Sequence, residues 1–162
     1  MRPLALALAA SLLSGLAFAA DAAPAAAAST ASASIGVISK THGVSLSDGR
    51  TGVGLTVPVD ALGLKGSTLA ASIFFQDASG KAIPSNDPGY ADANGELRVV
   101  SRDAKVEADP EALAFAFKVP YGAFPRRAGN GYAVVGQVRV FERTKTGRTL
   151  LATSIVQFWV GA

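Results

Sequence analysis

Few residues in this sequence have the type and spacing that chemistry requires. His42 is the only imidazole in the 162 residues, so a Ser-His-Asp system would have to use it. Ser39, Ser45 and Ser47 stand close by, but no G-x-S-x-G nucleophile elbow occurs anywhere. A lone His on a first strand is ordinarily structural or solvent-facing, and no catalytic residue is assigned. The chain has no Cys, which excludes disulfides, thiolate zinc sites, a catalytic thiol and a lipid-modified N-terminal Cys. One His also excludes a multi-histidine metal site within one chain.

Carboxylates are the remaining option, since a pair of them can perform glycosidic chemistry without any His. Asp103, Glu107, Asp109 and Glu111 form an acidic stretch with Arg102 and Lys105 mixed in. Nothing in the spacing sets two of these across a groove, so the stretch reads as a solvated loop. With Asp87 and Asp92 it could offer hard oxygen ligands to calcium, but the EF-hand pattern D-x-[DN]-x-[DN]-G is missing. No metal site, no cofactor and no enzymatic activity are therefore expected.

The elements that would position these residues come after an export signal. Met1-Arg2-Pro3 is a short cationic start, Leu4 to Leu13 an apolar run, and Ala17-Phe18-Ala19 a small-residue cleavage pattern. That order defines a secretory signal peptide over 1–19, cut after Ala19 or Ala20. The run breaks at Ser11, Ser14 and Gly15, too soon for a membrane helix of ~20 apolar residues. Residues 20–34 (ADAAPAAAASTASAS) lack large apolar side chains and read as a disordered tether. The folded domain is expected over 35–160, in the periplasm or outside the cell.

That domain reads as all-β. Val53, Leu55, Val57 and Val59 alternate with Gly54, Thr56, Pro58 and Asp60, a period of two that marks a half-buried strand. Pro58 suggests an edge or a bend there. Leu113 to Val119 alternates in the same way, and Leu69, Ala71, Ile73 and Phe75 line one face of Thr68–Gln76. Ile35–Leu46, Glu96–Ser101, Tyr132–Arg143 and Thr149–Val160 bring the count to about seven. Turn chemistry separates them, as at Ser47-Asp48-Gly49, Asn94-Gly95 and Thr146-Gly147. Only Asp109-Pro110-Glu111 could start a helical turn. A two-sheet antiparallel β-sandwich follows. An outer-membrane barrel fits less well, because only 7% of residues are aromatic and Pro88, Gly122 and Pro125 interrupt its strands.

A family resemblance accompanies this pattern. A polar turn, Asp48-Gly49-Arg50-Thr51-Gly52, enters the strand Val53-Gly54-Leu55-Thr56-Val57-Pro58-Val59. Ile73-Phe74-Phe75 leads through Gly80 into Lys81-Ala82-Ile83-Pro84, and Phe117-Lys118-Val119-Pro120-Tyr121 precedes two long closing strands. Over about Ile35 to Val160 the chain resembles C2-like or immunoglobulin-like β-sandwich domains of exported bacterial proteins without an assigned activity. The resemblance implies a binding or accessory role and supplies no catalytic residue.

Charge is unevenly spread. From Lys118 to the end the chain carries +6, whereas Ala20 to Phe117 carries −4. The mature chain's net +2 is too small for charge-driven nucleic-acid binding, which needs a clustered basic stripe. Arg126-Arg127 fall before the Tyr132 strand, Arg143, Lys145 and Arg148 at its far end, and Arg139 between. Such a strand would suit an acidic partner. If the Arg143–Thr149 hairpin has an odd loop, Val134, Gly136, Val138 and Val140 face Phe158, Val156, Ser154 and Ala152 toward the core. The opposite face then carries Val135, Gln137, Arg139 and Phe141 beside Leu151, Thr153, Ile155, Gln157 and Trp159. A one-residue slip would exchange the two faces.

Arg139, Phe141, Trp159 and Gln137 are the candidate binding face, and Asp103, Glu107 and Asp109 the alternative loop. The expected role is a non-enzymatic binding or accessory module of the cell envelope, touching a protein or envelope polymer, with no transmembrane span after processing. The alternatives are a self-associating, adhesin-like surface protein, or a periplasmic inhibitor or immunity protein of a cell-wall hydrolase, which would use the acidic loop.

Overall fold

The computed structural model describes residues 30–126 and 131–161. The expected signal peptide, most of the tether, Arg127 and the Gly129-Asn130 turn lie outside the described residues. Nine strands follow in order: β1 Ser32–Ile35, β2 Ser39–Ser45, β3 Thr51–Leu62, β4 Thr68–Asp77, β5 Arg98–Val100, β6 Ala104–Lys105, β7 Glu111–Pro120, β8 Tyr132–Thr144 and β9 Gly147–Val160. All pairings are antiparallel. They form two open sheets, the all-β sandwich that the alternation predicts.

In the first sheet β3 is central, with β7 along one side and β1 and β2 sharing the other. In the second the order is β5-β4-β8-β9, and β6 also pairs with β4. Lys40 on β2 donates to the Gln157 carbonyl of β9 at 2.8 Å, joining the two sheets along one edge.

The expected first strand, Ile35–Leu46, is split in two, and Pro58 accounts for the break. Residues 32–35 pair with the end of β3 and residues 39–45 with its beginning, so the chain leaves the ladder opposite Pro58. Pro58 has no N–H, and its carbonyl accepts from Gly36 at 3.0 Å on this same side. A Cβ at Gly36 would meet the Pro58 ring at 3.1 Å, a tight approach that glycine avoids. A central strand thus tolerates proline because its neighbour is interrupted. Strand β1 also begins at Ser32, inside the segment expected to be a tether, because Ala33 and Ile35 pack against the core. The helical turn entertained at Asp109 is not formed. Instead the Asp109 carboxylate accepts from the Gly63 N–H at 2.7 Å, and β7 begins at Glu111.

Period-two alternation supplies the core. Val53, Leu55, Val57 and Val59 of β3 meet Leu69, Ile73 and Phe75 of β4 and Val134, Val138 and Val140 of β8. Phe75, Phe124 and Phe158 meet edge to face with centroids 5.6–6.1 Å apart, the favoured geometry for aromatic rings. At the same end Arg50 ties two loops together. It pairs with Asp48 in the β2–β3 turn and with Asp87 beyond β4, and lies over the Tyr90 ring. Hydrogen bonds from Arg50 hold both carboxylates below their ordinary pKa and push the guanidinium's own value up.

Two outcomes follow. Phe75→Ala is expected to cost about 3–5 kcal/mol in urea unfolding, as for other buried Phe truncations; a cost below 1 kcal/mol contradicts this packing. Depressed carboxylate pKa values stabilise the fold above the unfolded-state pKa of about 4 and lose that contribution as pH falls through the lower folded values. Arg50→Gln should therefore lower the melting temperature at pH 6, and the gap from the parent should shrink below about pH 4. A gap that is constant down to pH 2 contradicts the clamp.

Candidate functional site

The residues expected to form a binding face are positioned by the β8–β9 hairpin. Lys145 and Thr146 make a two-residue turn between Thr144 and Gly147, so the loop is even rather than odd. A bulge restores the offset: Phe141 pairs with Leu150 while Val140 pairs with Ala152, leaving Leu151 as the extra residue. Beyond the bulge the register is the expected one, with Val134 opposite Phe158 and Gly136 opposite Val156 on the core face. Leu151 turns toward the core, and Leu150 takes its place outside.

On the outer surface of this second sheet the side chains stand in rows. Arg98, Phe74, Gln137 and Ile155 make one row across β5, β4, β8 and β9. Val100, Ser72, Arg139 and Thr153 make the next, and Ala70, Phe141 and Leu150 the third. Arg98 and Arg139 both lie against the Phe74 ring, their guanidinium carbons 4.5 and 4.7 Å from its centroid. Gln137 accepts from Arg139 at 3.3 Å and donates to Gln76 at 3.0 Å, so the polar groups form a chain along the face. A shallow depression bounded by Gln137, Arg139, Leu150, Thr153 and Ile155 lies beside them. Ile155 is 63% exposed and Leu150 52%.

The structure thus brings Gln137, Arg139 and Phe141 together and adds Phe74 and Arg98. Trp159 belongs to the same surface but lies opposite Ala133, six residues along β9 from Thr153, the partner of Arg139. At ~3.3 Å per residue that places it roughly 20 Å from the arginine pair. Phe74 carried a sequence signal, since the residue between Ile73 and Phe75 must face outward. Arg98 carried none, because its pairing with β4 depends on a long connection.

The alternative loop does not converge. Asp103 accepts from Arg143 Nε at 2.6 Å, Asp109 accepts from Gly63, and the Glu107 N–H is held by the Glu111 carboxylate. Among the described residues no group of three or more His, Cys, Asp or Glu could hold a metal ion. His42 is exposed, with its Nδ1 3.2 Å from the Tyr121 hydroxyl, which accepts the Gly43 N–H at 3.0 Å. Its other ring contact is the edge of Phe158. Gly43 carries φ +70°, the bulge residue that interrupts the β2–β3 ladder.

A further concavity of about 1010 Å³ opens where β7 and β5 leave the sandwich uncovered, between Phe115, Phe117, Val99 and Arg102. No helix among the described residues is long and apolar enough to cross a membrane.

No protein-family model and no curated protein matches the chain. Among solved structures it is similar to the major subunit of aggregative adherence fimbriae type I from Escherichia coli, at 15% identity and a TM-score of 0.34. That alignment covers 80% of this chain and 94% of the other.

Trp159, the only tryptophan and 63% exposed, reports on this face directly. Its emission is expected to resemble free tryptophan and to be quenched by iodide in the folded protein. A blue-shifted, quencher-protected spectrum contradicts the placement.

Proposed function

We propose that the chain is an exported, non-enzymatic β-sandwich binding module of the bacterial cell envelope, working through the outer face of its second sheet. One observation carries this reading. Arg98 and Arg139, Phe74 and Phe141, and the exposed aliphatic side chains Ile155 and Leu150 lie in adjacent rows of one sheet surface. That composition is typical of interface centres, where Arg and aromatic residues dominate the energetics.

The strand order supports an immunoglobulin-like version of the sandwich. With β1/β2, β3 and β7 in one sheet and β9, β8 and β4 in the other, the order follows the A-B-E and G-F-C arrangement of that fold, with β5 beside C. In this reading the rigid strands present the site, and the partner is a protein or envelope polymer.

Assembly through an edge is a second reading, favoured by β7. Among the described residues its ten residues pair with β3 alone, and Ala112, Ala114 and Ala116 stand exposed along it. Such an edge is a template for a further strand. Light scattering separates the two readings, because assembly predicts a mass that rises with concentration and a binding module a constant monomer.

Two outcomes test the main proposal. N-terminal sequencing of the protein expressed with its leader should begin at Ala20 or Asp21; an uncut Met1 contradicts export by this route. From periplasmic extract of the native host, the mature chain should retain an envelope component. An Arg139→Ala, Ile155→Ala variant that keeps its strand circular dichroism should retain at least about tenfold less, as for hot-spot truncation. Equal retention removes this face as the site.

A further inference from the structure

The geometry points to an extended acidic polypeptide segment as the occupant of this face, its carboxylates at alternate positions seated on Arg98 and Arg139 across the Phe74 ring. The inference rests on the binding-module reading and adds the chemistry of the partner.

Charge complementarity is the first support. Arg50 is matched by Asp48 and Asp87, and Arg143 by Asp103. Among the described residues Arg98 and Arg139 have no carboxylate within ion-pair distance, although each is partly buried. Contact with Phe74 fixes the position of each guanidinium; apart from the Arg139 Nη2 bond to Gln137, and with the Arg98 Nε buried, their donors engage no side chain among the described residues. A guanidinium so held accepts a carboxylate in bidentate fashion, with geometry that a lysine cannot copy.

Unused hydrogen-bonding capacity at the same place is the second. Ser72 is 1% exposed, yet its hydroxyl has no partner, and neither does the buried Arg98 Nε. Both belong to the rows that hold Phe74 and Arg139. Buried polar groups are normally satisfied, so two unpartnered atoms in these rows show that the local hydrogen bonding is left incomplete by the chain's own residues.

Spacing and surroundings then select the ligand. With both guanidinium carbons under 5 Å from one ring centroid, the pair is separated by no more than about 9 Å. Alternate side chains of an extended strand emerge on one face ~6.6 Å apart, within reach of both arginines. Exposed Ile155 and Leu150 flank the site and suit aliphatic side chains rather than sugar rings, which favour aromatic platforms. A polypeptide with two acidic residues at alternate positions, continued on the same face by aliphatic residues, meets all three conditions.

The test is a fluorescence-anisotropy titration of the mature protein with a labelled extended peptide Glu-Thr-Glu-Thr-Val-Thr-Val, and with the counterpart in which both Glu are replaced by Gln. The acidic peptide should bind at least about tenfold more tightly, and its affinity should fall as salt rises. Arg98→Gln with Arg139→Gln should remove that preference. Arg98→Lys with Arg139→Lys, which keeps the charge and spares the fold, should weaken it partly; Arg148→Gln, at the hairpin turn, should leave it intact. Equal binding of both peptides, or an unchanged preference in the Gln variant, overturns the inference. So does a polyuronate that binds with the same arginine dependence when the peptide does not. If peptide binding fails while the Arg139→Ala, Ile155→Ala variant still loses its envelope component, only the acidic assignment falls.

Discussion

Burial of one face of each strand is the interaction on which the rest of this protein depends. Val53, Leu55, Val57 and Val59 on one sheet meet Leu69, Ile73, Phe75 and Val138 on the other. Each fully buried side chain of this kind contributes roughly 1.5–3 kcal/mol, so the two sheets are held together mainly by apolar contact. Because the period of a strand is two, committing these residues inward forces Ser72, Phe74, Gln137 and Arg139 outward. The β4 and β8 part of the proposed surface is thus fixed by the core, while Arg98 depends on the connection that brings β5 beside β4.

The outward residues then arrange themselves by chemistry. Phe74 would expose a large ring on a flat sheet, and two guanidiniums cover it instead. Such contacts are worth about 0.5–1 kcal/mol each at exposed sites. Ser72 and Ala70 are buried on this outer face, in the rows that hold Arg139 and Phe141. In the proposed role, a face already ordered by such contacts would lose less entropy on binding.

Much of the fold was legible because alternation and turn chemistry are local properties. The strands β3, β4, β7, β8 and β9 fall where the alternation predicts, and the core side of the last hairpin is the expected one. What was not legible depended on contacts between distant segments. Pro58 signalled an irregularity, but only the pairing reveals that β1 and β2 divide around it. The Leu151 bulge needed the true turn length, and Arg98 needed the partner of a three-residue strand. Of the candidate residues, Gln137, Arg139 and Phe141 cluster as neighbours on β8. Trp159 shares their surface at a distance, and the acidic loop engages its own backbone and Arg143.

The central claim is that this sandwich works by contact at the outer face of its second sheet. Amide chemical-shift mapping during titration of the isotopically labelled mature chain with the acidic peptide tests it most directly. The account predicts that the largest shifts fall on Ser72, Phe74, Arg98, Gln137, Arg139 and Ile155. Shifts concentrated instead along the β7 edge, Glu111–Pro120, or in the loop around Asp103 would contradict it.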